Sequence, residues 1–433
     1  MRQIACLVAA LLVAVCLVAG QTTTPCSPPG TPTCDPNGNP VAPGPAPFPV
    51  PGPVPGPSPN PIPAPETALT VTAVTATVTL GAGRTVVGAQ GIAVDPTTGL
   101  VYIGLNGTIV SGCAGDGSMS GGSPALPGAG AHRMSIVDPA QGRELAAVTT
   151  GSAPIWPTIH PTRRLVYMMG SGDGTVTVHN AGDGSVVGTI PVGGRPHMGG
   201  LDYTTGLMVV GNTVRSSNVI TEQNHASIVN TATNTIARAF ETSPAPHGVV
   251  VDQERHLAYF SAVGDGAIVA VNAESGQTLF SGIPKSAYGA DFGGNNMLAR
   301  QAATRRLFQV NTQRSATGII VVDEVTLAAE KVIALGGTNP IPWGLAVDEP
   351  NRLLFAALPS SNAVAVVDLD TLTHAANIPV GTCPYAVAVD PQRRIAVTSN
   401  QGSPTQNASA SILNMCPVYS ALGRVVAGCP IAP

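Results

Sequence analysis

Short apolar runs separated by turn residues repeat along most of the chain. The clearest copy lies between Pro342 and Gly381, where four runs rich in Val, Leu and Ala are separated by Asp, Asn, Pro and Gly. Runs of about 4–6 residues with this composition predict β-strands rather than helices. Because one four-stranded sheet of this size cannot bury both faces, the pattern also predicts further copies packed on either side.

Two independent sequence features give the number of copies: the residue that ends the first apolar run of each unit, and the residue that ends the third. The first run of each unit ends at Asp95, His160, Asp202, Asp252, Gln301, Asp348 and Asp390. The third run ends at Asp138, Asn180, Asn230, Asn272, Asp323, Asp368 and Asn414. Both features give seven units with a period of about 40–50 residues, which predicts an all-β fold: a seven-bladed β-propeller of four-stranded antiparallel blades. The terminal Asp or Asn of each run is expected to bond the following backbone in an Asx turn.

The chain offers one strand more than seven blades need. Arg424–Gly428, at the end of the last unit, has the pattern of an outer strand, and Thr75–Leu80 ahead of the first unit has the pattern of another. We therefore expect Thr75–Leu80 to dock as an extra strand at the closure between blades 7 and 1. Closing the ring in this way removes exposed sheet edges.

Two stretches resemble a known repeat. GLAVDEPNRLLFAA with NAVAVVDLDTLTHAANIPVG, and HNAGDGSVVGTIPVGGRPH, are similar to the YVTN-type β-propeller repeat of secreted and cell-surface proteins. The resemblance covers Thr67 to Pro433 and implies the propeller fold. Because that family includes surface proteins of unassigned role as well as enzymes, the repeat implies no active site.

The first 66 residues differ from the rest in composition. Residues 1–20 carry Arg2, an apolar run and the small residues before Gln21, which predicts a signal peptide cleaved after Gly20; an uncleaved anchor is the alternative. The run is short for a membrane span, and no other run could span. Residues 21–66 are rich in proline, which predicts an extended polyproline-II stalk before the propeller at 67–433. The stalk resembles hydroxyproline-rich wall glycoproteins, and an unmodified flexible tail is the alternative.

Six cysteines remain once the signal peptide is removed, and in a secreted chain they predict disulfides. They are Cys26, Cys34, Cys113, Cys383, Cys416 and Cys429. Because 414–429 aligns without gaps on 368–383, Cys383 and Cys429 are expected on one face of the ring. We expect Cys113 to bond one of these two, and Cys26 to bond Cys34.

Two N-glycosylation sequons fall on loops between second and third strands. They begin at Asn106 in blade 1 and at Asn407 in blade 7. Since blades 1 and 7 are neighbours and these loops share one face, glycans are expected on one patch of the ring.

Charge and motifs exclude several classes of function. Only 10% of the residues are charged, the net charge is −4, and the chain has no basic stripe with interleaved aromatic residues, so nucleic-acid binding is not expected. No metal-binding, nucleophile-elbow or phosphate-cradling motif is present. The scattered Asp-Gly pairs are favoured turns rather than a calcium cage. No catalytic residue, metal or cofactor is therefore predicted.

One set of positions could form a binding site, namely those just before the first strand of each blade. Inner strands surround the channel of a propeller, so these side chains should ring one channel mouth, although packing between blade tops is the alternative. The ligand-binding candidates are Gln90, His197, His247, Tyr288, Trp343 and Tyr385. Ile155 holds the position in blade 2, and in blade 5 the position is either Tyr288 or Asn296.

These patterns favour a secreted, glycosylated, non-catalytic binding or structural protein of the cell surface, extracellular matrix or cell wall. Its propeller would be an interaction scaffold, and its partner a glycan or an extracellular protein. The alternative is a propeller enzyme of lactonase or dehydrogenase type with its site at the central channel. The lack of charged residues in the expected mouth ring favours the first hypothesis.

Overall fold

Seven four-stranded sheets form a closed ring in the computed structural model. The structure describes residues 68–81, 88–107, 132–212, 225–242, 245–262, 266–282, 297–311, 318–336, 341–403 and 405–430. These residues belong to one compact unit, Pro53–Pro433. Blades are numbered along the chain. Within each blade the strands run antiparallel, in sequence order from the inner to the outer edge. Blade 6 has a fifth strand at its outer edge, and the outer strand of blade 7 comes from the N-terminal side of the chain.

The two inner layers of strands follow the repeat. The innermost strands are β3 (Ala89–Val94), β7 (Pro154–His160), β11 (Pro196–Asp202), β15 (Pro246–Asp252), β19 (Leu298–Gln301), β23 (Leu345–Asp348) and β27 (Pro384–Asp390). The second strands are β4 (Val101–Leu105), β8 (Leu165–Gly170), β12 (Leu207–Asn212), β16 (Leu257–Ala262), β20 (Arg306–Asn311), β24 (Leu353–Leu358) and β28 (Ile395–Asn400). Each innermost strand contacts that of the next blade, and β27 contacts β3, so the ring closes.

The two outer layers complete the blades. The third strands are β5 (Arg133–Asp138), β9 (Thr175–Asn180), β13 (His225–Asn230), β17 (Ile268–Asn272), β21 (Gly318–Asp323), β25 (Ala363–Asp368) and β29 (Ser409–Asn414). The outer strands are β6 (Arg143–Thr149), β10 (Val186–Pro191), β14 (Thr235–Glu241), β18 (Thr278–Gly282), β22 (Ala329–Ile333), β26 (Thr373–Pro379) and, in blade 7, β2 (Val74–Thr79). The described residues also include β1 (Leu69–Thr70), a 3-10 turn (Pro359–Ser361) and a helix, α1 (Cys416–Ala421).

The repeat features of the sequence correspond closely to the strands. All seven third strands end at the predicted Asp or Asn, and the seven-bladed fold is confirmed. The predicted Asx turns form as well: Oδ1 of Asp95 accepts from the N–H of Thr97 at 2.9 Å, and Oδ1 of Asp202 accepts from the N–H of Thr204 at 2.9 Å. The polar residues at the strand ends therefore stabilise turns.

The closure of the ring differs from the prediction. The segment expected as an extra strand between blades 7 and 1, Thr75–Leu80, is instead the outer strand of blade 7, because β2 pairs antiparallel with β29. Arg424–Gly428 is not a strand. After Asn414 the chain turns into α1, which has a proline near its first position, where the missing N–H costs nothing. Arg424 then bonds the aspartates of blade 6 at 2.9 and 3.1 Å.

The hydrophobic core consists of one central cluster and three smaller ones. The central cluster surrounds the axis of the ring and includes side chains of all seven innermost strands. The smaller clusters lie between blades 1 and 2, between blades 4 and 5, and at the junction of blades 6 and 7. The last of these also holds Val71 and Ala73 from the N-terminus and Val418 and Tyr419 from α1, so both chain ends help to seal the ring.

Hydroxyl groups of buried tyrosines join neighbouring blades. Tyr102 in blade 1 donates to the carbonyl of Ala181 in blade 2. Tyr167 in blade 2 donates to Oδ1 of Asn234 in blade 3 at 2.8 Å, and burial raises the pKa of Tyr167 to about 12. Tyr419 donates to the carboxylate of Asp348 at 2.5 Å. Within the described residues, no helix has the length and hydrophobicity that a membrane crossing needs.

One disulfide is resolved completely, and it corrects part of the cysteine prediction. Cys416 is bonded to Cys429, with 5.3 Å between their Cα atoms. Cys429 therefore does not bond Cys113. Cys383 is also disulfide-bonded, and its partner is outside the described residues. A Cys113–Cys383 bridge stays a prediction, as does Cys26–Cys34, because Cys113, Cys26 and Cys34 are not among the described residues.

Removal of the resolved disulfide should weaken the closure. In the chain-entropy model, a bridge across a loop of this length stabilises the fold by about 3 kcal/mol, and here it also fixes α1 against the core between blades 6 and 7. A C416S/C429S double variant is expected to unfold at a lower urea concentration than the wild type under oxidising conditions. Strong reductant should bring the wild type close to the variant. Equal midpoints for both proteins in oxidising buffer would contradict this.

Candidate functional site

The predicted mouth positions coincide with irregularities in the innermost strands. Register shifts occur at the start of five of these strands, at Ala89/Ile92, Pro154/Pro157, Pro196/Met198, Pro246/Val249 and Pro384/Ala386. Gln90, His197, His247 and Tyr385 all lie within these shifts. Because a β-bulge leaves a residue unpaired and changes the direction of a side chain, these bulges set the directions of the side chains predicted to ring the mouth.

Three aromatic side chains, from blades 2, 6 and 7, contact one another at or beside the predicted mouth positions. The ring centres of Trp343 and Tyr385 are 4.9 Å apart, and those of Tyr385 and Trp156 are 6.5 Å apart. Their exposed fractions are 8% for Trp156, 7% for Trp343 and 2% for Tyr385. We call these three residues the mouth cluster. Since blade 1 lies between the blades of Trp156 and Tyr385, the contact between these two rings passes over the inner strand of blade 1.

The sequence analysis missed Trp156. The repeat alignment placed Ile155 at the mouth, but the bulge in β7 adds a residue and turns Trp156 toward Tyr385. A glycine in blade 1 makes room for it: a Cβ added to Gly91 would lie 2.3 Å from atoms of the Trp156 ring. Two residues in the sequence could have indicated this contact: a tryptophan beside the expected position, and a glycine in the innermost strand of the neighbouring blade.

The two candidate histidines form a pair. The ring centres of His197 and His247 lie 3.2 Å apart at an interplanar angle of 32°, and each side chain is 7% exposed. Two imidazoles that shared a tetrahedral metal would hold their ring centres about 5 Å apart, given metal–nitrogen distances of about 2.0 Å. The observed arrangement is therefore a stack. In the described part of the chain, no group of three or more His, Cys, Asp or Glu side chains could hold a metal ion.

Gln90 takes part in the closure of the ring. It is 3% exposed, and its backbone carbonyl accepts a hydrogen bond from the hydroxyl of Ser399 in blade 7 at 2.5 Å. Of the remaining candidates, Trp343 donates its backbone N–H to the carbonyl of Ala357 at 2.9 Å. Tyr288 lies outside the described residues. The described candidates therefore form two clusters of rings and one backbone contact, and their place at a channel mouth stays a prediction.

A buried ionic cluster lies at the other end of the inner strands, between blades 4 and 5. Glu324 is 0% exposed, and its carboxylate accepts from Arg255 at 2.6 Å, Arg300 at 2.7 Å and Arg305 at 3.0 Å. Asp252 adds a second carboxylate, 3.2 Å from Arg300. Sequence analysis missed this cluster, because its arginines are distant from Glu324 along the chain, although a glutamate at a position that is small or apolar in the other blades was a usable signal.

Two buried histidines away from the mouth make the fold sensitive to acid. His179 is 0% exposed between the carbonyl of Gly184 and the hydroxyl of Thr150, and His374 is 3% exposed and accepts from the N–H of Gly336. Burial lowers the pKa of both side chains below the ordinary 6.5. The unfolded chain therefore takes up protons first as the pH falls below 6.5.

Above pH 6.5 these two histidines should therefore not reduce the free energy of unfolding. Below that pH it should fall by up to about 1.4 kcal/mol per pH unit for each histidine. Urea unfolding at pH 7.5, 6.0 and 5.0 measures the slope, and a His179→Gln variant should lose part of it. An unchanged slope in the variant would contradict this explanation.

The two sequons differ in exposure. Asn407 is exposed in the loop between β28 and β29, as its predicted place requires. Asn106 follows β4 directly and is 9% exposed. Glycosylation at both residues stays a prediction.

Comparisons with known proteins support the fold. No protein-family model matches the chain, and no curated protein matches it. Among solved structures, a chain of Kuenenia stuttgartiensis hydrazine synthase superimposes with a TM-score of 0.56 at 13% sequence identity, covering 75% of this chain and 95% of that one. Similarity at this level of identity shows the propeller fold alone. The YVTN-type resemblance therefore remains a hypothesis.

Proposed function

We propose that the chain is a secreted, non-catalytic propeller that serves as a binding or structural scaffold at the cell surface, in the extracellular matrix or in the cell wall. The mouth cluster supports this most strongly, because its side chains from blades 2, 6 and 7 pack against one another and are only 2–8% exposed, which leaves little of them to meet a substrate. The partner would be a glycan or an extracellular protein, bound to the outer surface of the ring.

Buried carboxylates of the inner strands help to hold the fold together. Aspartates at the ends of five innermost strands are 0–4% exposed and lie at the far end of the channel from the mouth cluster. The carboxylate of Asp202 bonds His256 at 2.7 Å, and that of Asp252 bonds Arg255 at 2.5 Å. A propeller enzyme of lactonase or dehydrogenase type would instead need acids, histidine ligands or a cofactor converging on an open channel.

Catalysis can be tested on the purified full-length protein. We expect no turnover of a panel of lactones, or of alcohols with a dye acceptor, above a heat-denatured control. Turnover that disappears on heating, together with a stoichiometric bound metal or cofactor, would replace the scaffold proposal by the enzyme alternative.

Secretion and modification form the second half of the proposal. Residues 1–20 would be removed and residues 21–66 would carry the propeller on a stalk. Protein collected from the medium of secreting cells should begin at Gln21. Peptide mapping after glycan removal should show Asn407 converted to aspartate, since Asn407 is exposed. A protein that stays in the cells with residues 1–20 attached would contradict secretion.

A glycan site at the mouth itself is a second candidate, because aromatic and imidazole rings are suited to sugar faces. With 2–8% of the three aromatic side chains exposed, the mouth cluster would have to open first. A glycan array should compare the wild type with Trp343→Phe, which keeps an apolar ring, and with Tyr203→Ala, which removes an aromatic side chain that is 57% exposed. Binding that is lost only in Trp343→Phe would assign the site to the mouth.

A further inference from the structure

One blade carries a fifth strand. In blade 6, β1 lies on the outer edge of β26 and runs parallel to it, with Leu69 opposite Ala376 and Thr70 opposite Asn377. The N–H of Val71 donates to the carbonyl of Asn377 at 2.8 Å. The outer edge of this blade therefore binds an extended segment through its backbone.

The outer strand of blade 2, β10, closely matches β26. Each has a register shift at the same place, between Val186 and Gly188 in β10 and at the pairing of Val366 and Val367 in β26. Both strands end in Ile-Pro and continue with Val-Gly. In this alignment Thr189 of β10 corresponds to Asn377 of β26. Because the carbonyl of Asn377 points outward to β1, and since N–H and C=O of one strand residue point the same way, both groups of Thr189 should point outward.

β10 is the outermost strand of its sheet, whereas β26 is covered. The same positions accordingly differ in exposure. His374 in β26 is 3% exposed, and its equivalent Val186 in β10 is 57% exposed. Val74, which starts β2 in blade 7, packs against the core that Val71 enters, and its equivalent in blade 3, Ile236, is 39% exposed. Positions that are buried or partly buried at the outer edges of blades 6 and 7 are thus exposed at blades 2 and 3, and no described strand lies on β10 as β1 lies on β26.

The composition of β10 also sets it apart from other outer strands. Uncovered sheet edges are commonly protected by charged side chains. β6, β14 and β22 carry such charges, and β10 carries none. β2 and β18 are uncharged too, but their large apolar side chains are not exposed, whereas Val186 and Val187 of β10 are 57% and 53% exposed.

We infer that the edge formed by β10, with Ile236 of β14 beside it, is a docking site for an extended, uncharged segment of another protein. The segment would add to blade 2 as a fifth strand parallel to β10, as β1 adds to blade 6. Its backbone would bond Thr189, and small or β-branched apolar side chains would cover Val187 and Ile236. This surface is independent of the proposed function, since it needs neither secretion nor the channel mouth.

The probe for this site is a fluorescein-labelled, end-capped peptide with the sequence of residues 68–73, titrated with the full-length protein. We expect saturable binding of one peptide per chain. A Thr189→Pro variant removes the outward N–H and should weaken binding at least tenfold. Thr189→Val keeps that N–H and should change the affinity less than twofold. Both variants should unfold at the temperature of the wild type, because the bonds between β10 and β9 do not use this N–H.

Three outcomes would count against the proposal. Absence of saturable binding to the wild type would overturn it, and so would equal binding to Thr189→Pro, since the peptide would then sit elsewhere. Sedimentation velocity without peptide provides the third. If the wild type forms a dimer that Thr189→Pro abolishes, the edge is occupied by a second copy of the chain rather than by a foreign segment.

Discussion

A chain that begins at Gly81 should fail to fold into the propeller. It lacks β2, so blade 7 would keep three strands and β29 would present a new uncovered edge. It also loses Val78 and Leu80, which are 6% and 0% exposed in the central core. Since inner strands contact their neighbours all round the ring, opening one junction leaves uncovered surface on both sides of it. We expect loss of the cooperative thermal transition and aggregation of the protein.

Two longer chains serve as controls. A chain that begins at Glu66 keeps β1 and β2 and should melt like the full-length protein. A chain that begins at Ala73 loses only β1 and Val71, so it should stay folded and melt at a lower temperature. If the chain that begins at Gly81 melted cooperatively at the full-length temperature, the assignment of β2 to blade 7 would be wrong.

Replacement of Glu324 by alanine should cost about 3–5 kcal/mol of the free energy of unfolding. Its carboxylate is 0% exposed and joins three arginines, and Arg300 among them is only 13% exposed. Removal of one member of a buried ionic cluster leaves the remaining charges without compensation, and this costs more than the pair contributed. The loss should appear in urea unfolding at pH 7.

The matched control is Glu330→Ala. Glu330 bonds Arg306 at 2.7 Å, but both side chains are about one-third exposed, at 32% and 28%. Exposed pairs of this kind contribute between about 0 and 1 kcal/mol. A Glu324→Ala protein as stable as Glu330→Ala would show that the cluster between blades 4 and 5 does not stabilise the ring.

The repeat made most of the fold predictable. Strand periodicity and the Asp or Asn that ends each run are local features, so they can be read without knowledge of the packing. For this reason all seven third strands end where the sequence indicated, including Asn414 in the last blade. The same local features failed at the closure, where Arg424–Gly428 has the apolar pattern of a strand but binds blade 6 through Arg424.

The ring contacts of the candidate site were only partly predictable. The alignment identified His197, His247, Trp343 and Tyr385, which form one pair of histidine rings and one Trp–Tyr pair. It could not identify Trp156, because a bulge changes side-chain direction without a change in the repeat. Glu324 was missed for a related reason: its role depends on Arg300 from another strand of blade 5, and on Arg255, which meets it only after blades 4 and 5 pack together.

The central claim is that aromatic side chains fill the mouth of the channel, and tryptophan fluorescence tests it most directly. The chain contains only two tryptophans, and both belong to the mouth cluster, so the emission reports on nothing else. With exposed fractions of 8% and 7%, the native protein should show blue-shifted emission and weak quenching by acrylamide. Unfolding in guanidinium chloride should shift the emission to the red and make quenching strong. Native tryptophans quenched as readily as those of the unfolded chain would contradict the claim, because the mouth would then be open to solvent.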